Sequence, residues 1–298
     1  MGFDMLDKLC NAGLYLVKIP PKTKAPRSEG WNQLRSSSNP NGYSNSATDF
    51  CSYQNFNFGL YHGASNTLAL DLDNLALSHR IFEDTTDLQL KAWLENDLRL
   101  EIKSPKANRG KLLFKLPTDF DSANLRQFKY NNEMIFELRC GNCQDVIYGQ
   151  HPEGGSYQLI GNPAAIPEAP PVLLNMLQYW DEWKSCFDSV FINEQTLPKD
   201  KGHKPQQGEN LVGWRNPITE FNQAYSVESV LQWLGYKAVG KDRYIRPNSS
   251  SQMPGVVIMR NCADGLERAF SHGGDVLNDG YPHDAFDCYR LLKCNGEL

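Results

Sequence analysis

The chain has 298 residues, enough for one large domain or two smaller ones, and its 40% hydrophobic and 22% charged content is that of a globular protein. No apolar run approaches the roughly 18–20 residues of a membrane span. The start, Met1 to Cys10, has two acids and no apolar core, so it is not a secretory signal, and eight scattered cysteines then read as reduced thiols of a cytoplasmic protein. A net charge of −5 does not suggest a generic nucleic-acid coat, but two segments oppose it. Lys18, Lys22, Lys24, Arg27 and Arg35 cluster early, and Lys103, Lys106, Arg109, Lys111 and Lys115 follow later without an acid. They either line a groove for phosphates or form solvated loops.

In chain order, Phe3–Ala12 suits a short helix and Leu14–Ile19 a strand. Pro20, Pro21, Pro26 and Gly30 make a loop. Phe56–Tyr61 and Thr67–Leu72 read as strands joined by a turn at residues 62–66, followed by a helix at Leu88–Asn96. Lys111–Leu116, Met134–Leu138, Val146–Tyr148 and Tyr157–Ile160 are further strands. Few helices intervene, so the expected class is α+β with a mixed sheet. Met176–Phe191 has helical spacing and closes a first domain at 1–192. Residues 193–210 are polar and Pro/Gly-bearing, as a linker is, and 211–298 form a smaller α+β module with a helix at Tyr225–Tyr236 capped near Ser226.

Strand alternation puts Leu68, Leu70 and Leu72 on one face and Ala69, Asp71 and Asp73 on the other. The two carboxylates are then roughly 6–7 Å apart by strand rise, a spacing that suits shared hard cations or simply a wet strand end. In E-M-I-F-E-L-R, Glu137 and Arg139 share a face, either as a third carboxylate with a phosphate-binding partner or as a surface pair. Arg109, Gly110 and Lys111 end a loop that suits a triphosphate or an exposed basic hairpin. His151, in a turn after a strand, can bond phosphate, move a proton, or be structural. Cys140 and Cys143 lack the companions of a zinc site, His62, His79 and His203 lack partners in sequence, and no phosphate loop of the G-x-x-x-x-G-K-[ST] type is present. The C-terminal His272, Asp275, His283, Asp284 and Asp287 read as structural or template-contacting rather than metal-binding.

Taken in order, P-K-T-K-A-P-R-S-E-G-W (21–31), N-F-G-L-Y-H-G (57–63), L-A-L-D-L-D-N (68–74), R-G-K-L-L-F-K-L-P (109–117), F-E-L-R-C-G (136–141) and Y-G-Q-H-P-E-G-G-S-Y (148–157) resemble the bifunctional primase-polymerase domain of the archaeo-eukaryotic primase superfamily, found in phage, prophage and plasmid replication proteins. The resemblance spans most of residues 14–175. It implies an RRM-like core, Mg²⁺ or Mn²⁺ on Asp71, Asp73 and Glu137, and nucleotide contacts from Lys111, Arg109, Arg139 and His151. It also implies a single-stranded DNA template, (d)NTP substrates and a replicative helicase as partner or fused domain. Lys111 stands where the family usually has histidine, and the prolines and serine before His151 are missing. Trp31 and Tyr61 are candidates for stacking on template bases. Two other readings of the same residues are a non-catalytic template- or origin-binding module and a metal-dependent nuclease or glycosyltransferase.

Overall fold

The computed structural model describes residues 2–53, 55–121, 125–191, 216–262 and 264–295. Contacts divide the chain into two units, residues 1–80 with 89–178, and residues 81–88 with 179–298. The expected linker at 193–210 lies outside the described residues. No described helix is long and apolar enough to cross a membrane.

The first unit carries α1 (Gly2–Asn11) and a sheet of nine strands: β1 (Leu16–Ile19), β2 (Asn57–Tyr61), β3 (Thr67–Leu72), β4 (Leu100–Lys103), β5 (Gly110–Lys115), β6 (Arg126–Tyr130), β7 (Glu133–Arg139), β8 (Gln144–Gln150) and β9 (Ser156–Ile160). One-turn α2 (His62–Ser65) stands where a turn was expected, and ends on Asn66 in the left-handed region. Asn74 starts α3 (Leu75–Thr85), its Oδ1 accepting from Leu77 N at 3.1 Å, and the helix from Ile81 onward belongs to the second unit. Helix α4 (Leu90–Glu95) and, later, α5 (Pro171–Gln178) complete the unit.

The sheet order is β1-β2-β8-β9-β4-β5-β3-β7-β6. The mixed sheet expected from sequence is corrected here: every neighbouring pair is antiparallel. A parallel pair needs a helical crossover between neighbours, and α3 with α4 links β3 to β4, which are not neighbours. The β6–β7 hairpin turns on Asn131 and Asn132, both at positive φ, which is the geometry of a type I′ turn.

Residues 140–143 join β7 to β8, five places apart in the sheet. A flat sheet would separate those strands by about 24 Å, whereas that link reaches roughly 17 Å. The sheet therefore curls, and β8 faces β3, β5 and β7. Inside the curl lies a buried cluster that includes Phe58, Leu60, Ala69, Leu113 and Ile147. By the two-residue period, Asp71 shares a face with Ala69, Lys111 with Leu113 and Asp145 with Ile147. A charged mouth thus sits at one end of the apolar interior.

The second unit has α6 (Trp180–Ser189), α7 (Pro217–Ala224), α8 (Val227–Trp233), α9 (Ala285–Lys293) and a four-stranded antiparallel sheet, β10 (Lys237–Val239), β11 (Arg243–Ile245), β12 (Val256–Met259) and β13 (Arg268–Ser271). Ser226 caps α8 as expected, its Oγ accepting from Ser229 N. The helix is shorter than its sequence pattern because Gly235 turns the chain at φ 86. One sheet face packs Tyr244, Val256, Ile258 and Ala269 against Val230, Leu231 and Cys288 of the helices. The single helix expected at 176–191 is two, α5 and α6, broken at Tyr179.

Candidate active site

The site is a row across neighbouring strands. Register places Lys111 of β5, Asp71 of β3, Glu137 of β7 and Gln127 of β6 side by side. Asp73 follows just past the end of β3, its amide donating to Ile135 O at 2.9 Å. One carboxylate oxygen from each of Asp71, Asp73 and Glu137 lies within 4.8 Å of the others. Three carboxylates so close repel one another unless cations lie among them.

The chain supplies part of that neutralisation. Lys111 Nζ lies 2.7 Å from Asp71 Oδ2, and Arg109 pairs with Asp73 Oδ1. Glu137 accepts from Arg139 at 3.0 Å and from Gln127. Asp71 Oδ1 and Asp73 Oδ2 carry no bond to a described residue. An all-oxygen set with open lone pairs fits a hard divalent cation such as Mg²⁺ or Mn²⁺.

Asp145 was not among the residues singled out by sequence. It reaches the row from β8, across the curl, with its side chain 5% exposed. Its carboxylate lies 2.5 Å from Lys111 Nζ, 3.0 Å from Arg139 Nε and 2.9 Å from His62 Nε2. His62, which sequence left without a partner, also meets the Thr67 hydroxyl through Nδ1 at 2.9 Å. An Nε2–H donated to Asp145 leaves Nδ1 to accept from Thr67. In all, four carboxylates face Lys111, Arg109 and Arg139, leaving one net negative charge.

Burial pushes the Asp71 carboxyl up to about 6, Lys111 opposing and Asp145 reinforcing the rise. Asp145 is buried too, yet Lys111 and Arg139, helped by His62, hold it well below the usual carboxylate range. Lys111 and Arg139 are raised in turn, the neighbouring carboxylates outweighing their own burial. Lys111 is thus fixed beneath the carboxylates, not at the rim.

Above the row is a cavity of about 260 Å³, lined by the row's charges with Lys24, Ser104, Arg109 and Tyr157. Both basic segments converge here. Lys24 is held down by burial and by Lys106 and Arg109, the mark of clustered positive charge. Its loop is pinned by Gln144, whose side chain donates to Lys24 O at 2.8 Å. Other members of those segments point elsewhere: Lys18 to Tyr53, Arg35 to Asp49 and Lys115 to Ser65 O. His151 is 2% exposed and does not line the cavity. Its ring packs 5.4 Å from Tyr157 and its Nδ1 accepts from Glu153 N. Burial and then Lys24 lower its pKa. Tyr61 is not available for stacking on a base: Tyr43 stacks on it at 4.7 Å and Trp31 meets it edge-on at 5.7 Å. Trp31 stays partly exposed.

Comparison with curated proteins gives no match. A family model, described as bifunctional DNA primase/polymerase, N-terminal, matches residues 7–172 and so takes in every residue of the row. On that match, which covers more than half of the chain, the chain belongs to the bifunctional DNA primase/polymerase family.

Proposed function

We propose that this protein is a DNA primase-polymerase that transfers nucleotides from (d)NTPs to a growing strand on a single-stranded DNA template. The observation that carries the reading is the cluster of Asp71, Asp73 and Glu137 within a domain of this family. The reaction is attack of a 3′-hydroxyl on the α-phosphate of an incoming nucleotide, with pyrophosphate leaving. Divalent cations held by the three carboxylates would supply the Lewis acidity for that displacement. Lys111 and Arg139 keep the carboxylates in place while they wait, so little reorganisation accompanies the reaction. Arg109 and Lys24, at the cavity wall, are the cations positioned to meet a triphosphate. His151 acts through Tyr157 on the shape of the pocket. By the chain's resemblance to phage and plasmid replication proteins, its setting is replication of a mobile element, with a replicative helicase, separate or fused, as partner.

The test is incorporation of labelled nucleotides on an unprimed circular single-stranded template with Mg²⁺ or Mn²⁺. Primed products that disappear in Asp71→Ala/Asp73→Ala support the reading, and full activity in that variant refutes it. One observation favours a second reading: each metal-site carboxylate already has a cation of the chain beside it. A vestigial, self-neutralised site predicts DNA binding with no incorporation under any metal. Degradation of the template in place of synthesis would mark a nuclease.

A further inference from the structure

The second unit holds a cavity of about 270 Å³ that polymerase chemistry does not use. Its floor is the sheet face turned away from the helical core, where register sets Arg243, Val257 and Phe270 in one row across β11, β12 and β13. The β10–β11 turn that delivers Arg243 closes tightly. Gly240 sits at φ 59, and a Cβ there would meet the Glu83 and Asp84 carbonyls at 2.9 Å.

Arg243 is 5% exposed and lines this cavity. Among the described residues its guanidinium makes one hydrogen bond, from Nη1 to Cys186 Sγ at 3.6 Å. Sulfur is a weak acceptor, and that thiol donates its own hydrogen to Pro254 O. Among the described residues no carboxylate forms an ion pair with Arg243. Buried arginines ordinarily have one, because an unpaired buried charge is destabilising. Two acids share the wall. Asp242 is engaged by Arg260 at 2.6 Å, and Asp84 makes no ion pair with Arg243.

The other polar groups suit an anion as well. His272 lines the cavity, edge-on to Phe270 at 4.9 Å, and its ring nitrogens bond no described residue. Burial and then Arg243 bring it down to about 4, so the imidazole is neutral at pH 7 with one N–H to give. Lys241 is exposed on the wall, and among the described residues it has no ion-pair partner. The neighbouring C-terminal residues have structural tasks: Asp275 accepts from Tyr236, Asp284 caps α9 and His283 meets Asp279. His272 and Arg243 are left over, both lining the cavity.

We propose that this cavity binds a nucleoside phosphate, with Arg243 as the buried counter-charge of the phosphate and His272 as a hydrogen-bond donor to it. The planar guanidinium fork matches phosphate oxygens. Val257, Met259 and Phe270 form an apolar wall for the base. The volume lies just below the roughly 300 Å³ at which ligand pockets begin, so it suits one nucleotide unit. That unit is either a free nucleotide or the terminal nucleotide of a strand.

The experiment follows the His272 imidazole signals by ¹⁵N NMR in the full chain, assigned with His272→Gln. The probes are inorganic phosphate, dAMP and a 5′-phosphorylated oligo-dT. Saturable shifts with dAMP, weaker ones with inorganic phosphate, support the site. Shifts with the oligonucleotide alone support it with the strand end as source. Arg243→Met weakens binding by roughly ten- to a hundredfold, as loss of charged hydrogen bonds does. Without ligand it melts at or above the wild-type temperature, because an unpaired buried charge is gone. The shifts persist in Asp71→Ala/Asp73→Ala, so this site and the polymerase reading fail separately. His272 signals that no probe moves overturn the proposal, as does unchanged binding in Arg243→Met. Should Arg243→Met not fold, the wild-type titration alone decides.

Discussion

Asp145→Asn is the sharpest perturbation of the first unit. Asparagine keeps the shape and removes the charge that Lys111, Arg139 and His62 all face. Removing one partner of a buried ion pair costs about 3–5 kcal/mol. Here Lys111 retains Asp71 and Arg139 retains Glu137, which points to the lower end, about 3 kcal/mol. At about 2–4 °C per kcal/mol for a unit of this size, the melting temperature falls by roughly 6–12 °C. The assay is thermal unfolding by circular dichroism at pH 7.5 without metal, for wild type, Asp145→Asn, Lys111→Met and the double variant. Lys111→Met removes the charge left exposed to the loss, so the double variant is less damaged than the sum of the singles by about 1–3 kcal/mol. An Asp145→Asn protein melting within about 2 °C of wild type, or strictly additive losses, would refute the shared-network argument.

Three further outcomes follow from the same structure. Asp73 pairs with Arg109 near the surface, so Asp73→Asn changes stability by at most about 1 kcal/mol while weakening Mn²⁺ binding measured by calorimetry; unchanged Mn²⁺ affinity would remove Asp73 from the proposed metal site. Gly149 lies at φ 120 with Asn57 Oδ1 2.0 Å from any added Cβ, so Gly149→Ala costs at least about 1–3 kcal/mol of backbone strain, visible as an earlier thermal transition. His272, lowered to about 4 by burial and by Arg243 with Lys241, Asp84 and Asp242 on the same wall, binds fewer protons folded than unfolded. Its stability contribution is therefore complete above about pH 6.5 and is lost as pH falls toward 4; discounted for partial exposure it is about 1–2 kcal/mol. His272→Phe should flatten that decline in urea titrations across this range, and an unaltered slope would contradict a neutral buried imidazole.

What the sequence made legible follows its periodicity. Three leucines alternating with Ala69 and Asp71 identify β3 to the residue, and the same alternation in β7 put Glu137 and Arg139 on one face. Strands without that contrast were missed. In β6 only Phe128 is buried, and four-residue β4 is too short for a pattern to show. Helix α3 was missed as well, although Asn74 marks its start. Asp145 is a different case. It lies near the start of a strand whose apolar part, Val146 to Tyr148, was visible, but two of its three partners, Lys111 and His62, are 34 and 83 positions away. Nothing local announces a carboxylate that acquires its role only when the sheet curls. His62 was passed over for the same reason.

The departure at Lys111 and the residue missed at Asp145 are one feature. A neutral histidine beside Asp71 would need no buried counter-charge. A lysine carries a charge to the mouth of the curl, where it is only 16% exposed, and a charge so poorly solvated must be matched. Asp71 alone is a poor match under the proposed function, in which it also holds a cation, since the two demands compete for the same oxygens. Asp145 resolves the competition. It takes a share of Lys111 and of Arg139 from behind the row, so that Asp71 and Glu137 are steadied without being fully neutralised. His62 and Thr67 then fix the orientation of Asp145 itself. The lysine is therefore compatible with the proposed metal site because the fold supplies a fourth carboxylate, and judging residue 111 without residue 145 misreads the electrostatics of the cluster.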